Sequence, residues 1–346
     1  MDFTPTEEQQ AARELAARIF GDLATHERLA AAGTGTHAEL WKALCAAGLP
    51  GAVEETGLLG LVLLAEEQGR TTAQVPFTAS CVYGLLAVAR HGTEELRARL
   101  LPGLRDGSAV VTGAFPAVPG AGAVREEAGG RLTGTVAWVP WLRDATHVLV
   151  PDGQRALWLV RTEDAGPVAD VELTAPWSAG RLVLERTPGE AVGGPGAYED
   201  VLAAARIAFA GLQAGVCAGS LARAVAYTSV REQFGQPLSS NQAVQLRAAD
   251  AHMDTESIRV TAYEAAWRYD QDLPAAEHAL TAAWWASEAG KRVVHAGQHL
   301  HGGMGADLDH PVHRHFLWGR QLDAYLGCGT ELLAELGDLL ANGEPA

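Results

Sequence analysis

The sequence predicts an α+β fold in three successive parts: an all-helical domain over residues 1–107, an antiparallel β-domain over 108–200 and a four-helix bundle over 201–346. Apolar residues recur at helical spacing in the first and last parts. The middle part consists instead of short runs rich in Val, Leu, Thr and Trp, parted by Gly, Pro and Asp. The scale agrees: 346 residues, 48% of them apolar, suffice for two or three domains with a sizeable core.

The first helix is expected at Thr4-Pro5-Thr6-Glu7, with Thr4 as cap, Pro5 in the first turn and Glu7 closing a capping box; EEQQAARELAARIF then follows at helical period. Further helices are expected over Ala38–Ala47, Leu58–Gln68, Ala79–Arg90 and Glu94–Leu104. Gly48-Leu49-Pro50-Gly51 and Gly69 act as punctuation. Strands are expected at Ala109–Gly113, Arg131–Trp138, His147–Val150, Ala156–Val160 and Arg181–Glu185. Long alanine-rich helices follow over 201–232, 240–268, 276–300 and 312–341, interrupted at Phe234-Gly235-Gln236-Pro237, at Asp272-Leu273-Pro274 and at glycines 302, 303 and 305. Helices of this length pack on one another or on a neighbouring chain.

A net charge of −16 argues against binding nucleic acid or anionic membranes, which need a basic footprint. Four scattered cysteines without CxxC spacing read as reduced, mostly buried thiols of a cytoplasmic protein, not as a disulfide frame or a zinc cage. The N-terminus lacks a basic region followed by an apolar one, and charges break the apolar runs, so no membrane span is expected.

Three stretches carry chemistry. The first is Arg231-Glu232-Gln233-Phe234-Gly235-Gln236-Pro237, followed by Gln242. The second is His299-Leu300-His301-Gly302-Gly303-Met304-Gly305, followed by Pro311. The third is Tyr325-Leu326-Gly327. Arg231 is a planar cation suited to a pyrophosphate. Phe234 can cover an apolar ligand face, and Gly302 and Gly303 allow backbone N–H groups to approach a bulky ligand closely. Taken singly, Arg231 could also be a surface cation, Phe234 a core anchor at a turn, and the glycines a helix end.

At these separations, together with Arg206 and the MDFTPTEEQQ start, the stretches resemble the R-x-x-F-G-x-P…Q, Q-x-H-G-G-x-G…P and Y-E-G segments of the acyl-CoA dehydrogenase family. The resemblance spans the whole chain and is strongest over 200–340. It implies FAD held between two subunits and α,β-desaturation of an acyl-CoA thioester. It places Arg231, Gln233, Phe234, Gln242, His299, Gly302 and Gly303 against a neighbour's flavin, and Arg206 beside the substrate.

The same resemblance exposes losses. The family's catalytic glutamate stands in Y-E-G or just before the arginine matching Arg206; here those positions hold Leu326 and Ala205, neither of which accepts a proton. Asp323, Glu331, Glu199 and Asp200 are the nearby carboxylates, and Asp323, three residues before position 326, is the one candidate for a displaced base. The T-E-P-x-x-G-S-D loop becomes Phe115-Pro116-Ala117-Val118-Pro119-Gly120-Ala121-Gly122. W-I-T becomes Trp138-Val139-Pro140, where Pro140 has no N–H to offer a flavin edge. Cys328 and Thr330 replace a threonine and a glutamine, and His299, with Gln298 before it, replaces a glutamine.

The half of the site used for a chain's own flavin is thus eroded, and the half donated to a neighbour is kept. This resembles the non-catalytic chain of the two-gene actinobacterial acyl-CoA dehydrogenases, linked to steroid side-chain breakdown. It implies a catalytic partner subunit, an α2β2 assembly and a shared FAD. Two other readings stand beside it: an active homomeric enzyme with a displaced base, and a family-fold enzyme with different chemistry, such as a flavin monooxygenase or a non-redox tailoring enzyme. Six of the 12 histidines lie between His295 and His315, but no carboxylate or cysteine pattern completes a metal site, so none is expected.

Overall fold

The computed structural model describes residues 2–117 and 123–343. Contacts divide the chain into two compact units. One comprises Met1–Arg13, Val62–Ala73 and Arg206–Ala346; the other comprises Glu14–Leu61 and Gln74–Ala205.

Seven helices precede the first strand: α1 (Glu7–Leu23), α2 (His26–Ala32), α3 (Ala38–Ala46), α4 (Leu49–Thr71), α5 (Phe77–Ala79), α6 (Ala87–His91) and α7 (Glu94–Asp106). The cap of α1 lies two residues beyond the expected one. Thr6 Oγ1 accepts from the Gln9 N–H, and Gln9 Oε1 accepts from the Thr6 N–H, a reciprocal pair that Thr4 and Glu7 do not form. Gly48, at φ +72°, ends α3, but α4 starts at once at Leu49. Pro50 is accommodated because the first helical turn has no partner for its missing N–H. The expected helix over 79–90 is π-helical across Ser80–Leu86, between α5 and α6.

The β-structure forms two four-stranded sheets. One orders β1 (Val111–Gly113), β4 (His147–Pro151), β5 (Leu157–Arg161) and β8 (Glu190–Val192). The other orders β2 (Arg125–Glu127), β3 (Arg131–Val139), β7 (Gly180–Pro188) and β6 (Ala169–Asp170). Among the described residues, all pairings in these sheets are antiparallel except β1 with β4, a departure from the expected purely antiparallel domain. β1 enters from α7 rather than from a hairpin, so nothing forces it to reverse. Alternation buries Leu182 and Leu184 of β7 with Leu132 of β3, and these join Val148, Val150 and Val160 of the other sheet in one core.

The long helices are α8 (Ala197–Val230), α9 (Gln242–Asp270), α10 (Ala276–Leu300), α11 (Val312–Leu322) and α12 (Gly329–Asn342). The single helix expected over 312–341 is therefore two, and the four helices become five. Gly327 at φ +117° breaks the path, and Cys328 restarts it in a capping box whose N–H donates to Glu331 Oε2 at 3.0 Å. α8 is long and apolar enough to cross a membrane, but 89% of its most apolar window is buried within the protein.

In the first unit, α8 crosses the 62–73 segment of α4 at backbone contact. A Cβ on Gly211, Gly215 or Gly219 would lie within 3 Å of Val62, Glu66 or Arg70 respectively. Both rows advance by four residues, so glycine ridges seat in the facing groove. Below this crossing sits a buried carboxylate, Glu66. It accepts from Arg259 Nε at 3.0 Å and Nη2 at 2.8 Å, from Arg70 Nη2 at 3.1 Å and from Tyr263 OH at 2.7 Å. Burial alone would raise its pKa; the hydrogen bond and charge of Arg259, with Tyr263 and Arg13, outweigh this and hold it below the ordinary value.

Candidate functional site

Two of the three motif stretches meet at one end of the bundle. α8 ends at Val230. Arg231 then leads into a two-residue hairpin, β9 (Glu232–Gln233) against β10 (Gln236–Pro237), with Gln233 opposite Gln236. Phe234 (φ +53°) and Gly235 (φ +80°) form the turn, the paired left-handed conformation a tight hairpin requires. The Leu238 N–H donates to Arg231 O at 2.8 Å and closes it. Phe234 is 101% exposed, so it anchors no core. Arg231 and Gln233 are exposed too, as is Gln242, the first residue of α9, behind its cap Asn241.

The glycine stretch follows the end of α10. His299 is exposed on its last turn. Gly302, at φ +60°, begins a 3₁₀ turn over Gly302–Ala306, and Gln298 Nε2 donates to Gly305 O at 3.1 Å to hold that turn. Gly302 and Gly303 are exposed, and a Cβ on either would meet nothing. The two stretches are joined through His301. This ring is 2% exposed, stacks on Tyr227 at 4.9 Å and bonds Gly297 O through Nδ1 at 2.7 Å. Tyr227 lies one turn before Arg231 and accepts its N–H through the backbone carbonyl at 2.9 Å. Sequence reasoning missed Tyr227, since an aromatic residue late in a helix has no signal of its own.

The third stretch lies in a different setting. Leu326 lines a cavity of only about 20 Å³ with Arg206, Phe209, Tyr325, Gly327 and Leu332. Leu326 is 6% exposed, and Phe209 meets Tyr325 edge-on at 4.8 Å. Arg206 also pairs fork to fork with Glu335 of α12, Nη1 to Oε1 at 2.8 Å and Nη2 to Oε2 at 2.6 Å. Glu335 is the second residue that sequence reasoning missed; it lies 129 positions away, beyond any local pattern.

The remaining carboxylates are engaged elsewhere. Asp323 is not among the residues around Leu326. It pairs with Arg320 Nη1 at 3.0 Å, and burial raises its pKa against the pull of Arg320 and Lys291. Glu331 caps α12. Glu199 pairs with Arg155 at 3.2 Å, and Asp200 with His91 at 2.7 Å. Ala205 is fully buried. Of the 295–315 histidines, His301 and His310 bring their rings to 5.0 Å, but among the described residues no three His, Cys, Asp or Glu side chains form a metal set.

In the second unit the altered loop starts inside an aromatic stack. Phe115 lies between Tyr83 at 5.1 Å and Tyr198 at 5.6 Å, and the Ala117 N–H donates to Tyr198 OH at 3.2 Å. Residues 118–122 of that loop lie outside the described residues. Pro140 is buried, and its carbonyl accepts from Thr112 Oγ1 at 2.5 Å, so neither backbone group there is available to a ligand.

Residues 6–108 match the family model described as acyl-CoA dehydrogenase, N-terminal domain, and residues 193–334 match the one described as acyl-CoA dehydrogenase, C-terminal domain. Acyl-CoA dehydrogenase FadE27 of Mycobacterium tuberculosis is 35% identical, over 99% of each chain. Among solved structures, a chain of the ChsE4–ChsE5 complex from Mycobacterium tuberculosis superimposes with a TM-score of 0.92 at 34% identity, over 100% of each chain. A chain of the Tcur3481–Tcur3483 steroid ACAD superimposes with a TM-score of 0.91 at 40% identity, over 97% of this chain and 98% of that one.

Proposed function

The chain belongs to the acyl-CoA dehydrogenase family, and from that premise we propose that it is the non-catalytic subunit of a flavin-dependent acyl-CoA dehydrogenase and completes the FAD site of a catalytic partner. One observation carries this. The exposed Arg231 hairpin and the exposed Gly302–Gly303 turn are fastened to each other through Tyr227 and His301, while the cavity around Leu326 is lined by apolar side chains and Arg206, with no carboxylate among them.

The residues present fit half of a flavin site. Arg231 offers a fork of N–H donors for a pyrophosphate. Phe234 presents an exposed apolar ring on a two-residue turn, and Gln233 and Gln242, also exposed, offer amide groups. Gly302 and Gly303 bring main-chain N–H groups to the surface, where no Cβ intervenes. A cofactor held this way belongs to the chain against which this end of the bundle docks. When bound, FAD supplies the hydride acceptor for α,β-desaturation of the thioester; the proton is taken by a carboxylate that this chain does not place at Leu326 or Ala205.

On the chain's own side the fit fails. Phe115 is committed to the Tyr83 and Tyr198 rings, Pro140 has no N–H, and Arg206 is neutralised by Glu335. Asp323 pairs with Arg320 and does not line the Leu326 cavity, which favours the subunit reading over the homomeric one. The likeness to the Tcur3481–Tcur3483 steroid ACAD and to the ChsE4–ChsE5 complex supports a hetero-oligomer and a steroid CoA ester as the substrate class; an α2β2 assembly and a side-chain ester are part of the proposal.

The test is to express the chain alone and together with a catalytic acyl-CoA dehydrogenase chain that carries the glutamate. Alone it is expected to purify colourless and inactive; together, flavin absorbance and acyl-CoA-dependent acceptor reduction appear. A yellow, active chain in isolation would refute the proposal.

A further inference from the structure

We infer that Tyr227 and His301 are positioning residues for the flavin. With His310 they form a stack of three rings that holds the Arg231 hairpin and the Gly302–Gly303 turn in one arrangement, so that a single FAD meets both. This rests on the reading above and names the side chains that set how tightly the cofactor is held. The rings come from three helix ends. Tyr227 lies on the last turn of α8, His301 follows the last residue of α10, and His310 stands two residues before Val312, the first of α11. The His301 ring lies 4.9 Å from that of Tyr227 at an interplanar angle of 24°, and 5.0 Å from that of His310, tilted by 58°. All three belong to one compact unit.

Each ring is tied to backbone. Tyr227 O accepts the Arg231 N–H at 2.9 Å, so a shift of the tyrosine moves the first residue of the hairpin. His301 Nδ1 donates to Gly297 O at 2.7 Å, since a carbonyl only accepts, and so satisfies one of the carbonyls left over at the end of α10. His310 Nδ1 accepts the Val312 N–H at 3.3 Å, and its carbonyl accepts from His313 Nδ1 at 2.6 Å, which fixes it at the start of α11. The His301–His310 pair thus closes the loop of residues 302–309 at its two ends, and the Tyr227–His301 pair joins that loop to the hairpin. Tyr227 is half-buried, and among the described residues its hydroxyl has no hydrogen-bond partner; what it contributes is the flat face of its ring. The groups offered to the flavin, Arg231, Phe234, Gly302 and Gly303, are all exposed. Exposed segments left free to move would have to be ordered when the ligand arrives, at a cost to affinity. The stack orders them beforehand, and a stacked ring pair contributes enough to change an equilibrium about 2- to 10-fold.

The experiment co-expresses a catalytic acyl-CoA dehydrogenase chain that carries the glutamate with wild type, Tyr227→Phe, Tyr227→Leu, Arg231→Ala and the double variant of Tyr227→Leu with Arg231→Ala. FAD is titrated into each deflavinated complex, while sedimentation reports assembly and circular dichroism reports the fold of each isolated chain. Tyr227→Phe keeps the ring and should bind FAD within about twofold of wild type; Tyr227→Leu should bind it about 10-fold more weakly with assembly unchanged. In the Arg231→Ala background the same Tyr227→Leu change should cost no more than about threefold, because the group it positions is gone. His310→Leu, which leaves α8 untouched, carries the same expected loss as Tyr227→Leu and replaces it should that chain fail to fold. If both leucine variants bind FAD as tightly as wild type, the stack does not position the cofactor and the subunit reading stands. A full 10-fold loss in the Arg231→Ala background, or a Tyr227→Phe loss equal to that of Tyr227→Leu, would likewise overturn the inference. If the wild-type complex takes up no FAD, the subunit reading itself fails and takes this one with it.

Discussion

Arg206 and Glu335 meet fork to fork, with N–O separations of 2.8 and 2.6 Å, at the wall of the cavity that holds Leu326. A carboxylate is thus present near the family's base position, but it is spent on the arginine and lies outside the cavity lining. Leu326→Glu is therefore expected not to create desaturase activity in the isolated chain. The new carboxylate would be buried among Phe209, Tyr325 and Leu332 and would compete for an arginine already paired. A loss of about 3 kcal/mol of stability is expected. Acyl-CoA-dependent dye reduction and thermal unfolding check both halves; turnover by the single variant would contradict the account.

Arg231→Ala should lower flavin affinity in the two-chain complex about 10- to 100-fold, because a charge-assisted contact to phosphate is lost. Arg231 is exposed, so the thermal midpoint of the isolated chain is expected to stay within a degree or so of wild type. Flavin absorbance after gel filtration is the readout.

Glu66→Gln should cost about 3 kcal/mol, since three partly exposed guanidinium groups lose the buried carboxylate they share. The acid limb of stability should change as well. The folded pKa of Glu66 lies below the ordinary 4.5. Its contribution is therefore complete above about pH 4.5 and drains away as pH falls through the lower folded value. Urea titrations of wild type and variant across this range should show a flatter acid limb in the variant.

His315 is buried, bonds Arg70 O through Nε2 at 3.0 Å, and has its pKa pushed down to about 4, first by burial and further by Arg223. The neutral ring must therefore carry its proton on Nε2. Because the folded pKa lies below the ordinary 6.5, this group favours the fold above about pH 6.5 and withdraws roughly 3 kcal/mol as pH falls towards 4. Nitrogen-detected NMR of the imidazoles should show no titration of His315 between about pH 5.5 and 8.

Gly215→Ala tests the helix crossing. The added Cβ would stand 1.9 Å from the Glu66 carbonyl oxygen, an overlap only backbone movement can relieve. A loss of about 3 kcal/mol is expected, against no loss and a gain of up to about 1 kcal/mol for Gly337→Ala, inside α12, whose Cβ would meet nothing. Chemical denaturation of the two variants provides the comparison.

Much of this protein was legible in one dimension. The helical period of α10, expected and found over 276–300, is a local property, as is the turn at Phe234-Gly235, where the backbone needs two left-handed residues. The missing acid at Leu326 and Ala205 could be read by inspection, since neither residue type binds a proton. Local rules also misled. Pro50 looked like a break yet sits in the first turn of α4, and Thr6, not Thr4, caps α1. These are differences of one or two residues, decided by which donor reaches which acceptor.

The sequence alone determined the order of helices, sheets and bundle and the interruption at Phe234-Gly235-Gln236-Pro237, because each follows from residue type or from spacing within a few turns. Only the tertiary structure decided that Glu335 neutralises Arg206, that Phe115 is committed to Tyr83 and Tyr198, and that Tyr227 fastens the two motif stretches through His301. Each of those depends on which surfaces of distant segments come within a few ångströms, and that is settled by the packing of whole helices and sheets rather than by any repeat along the chain.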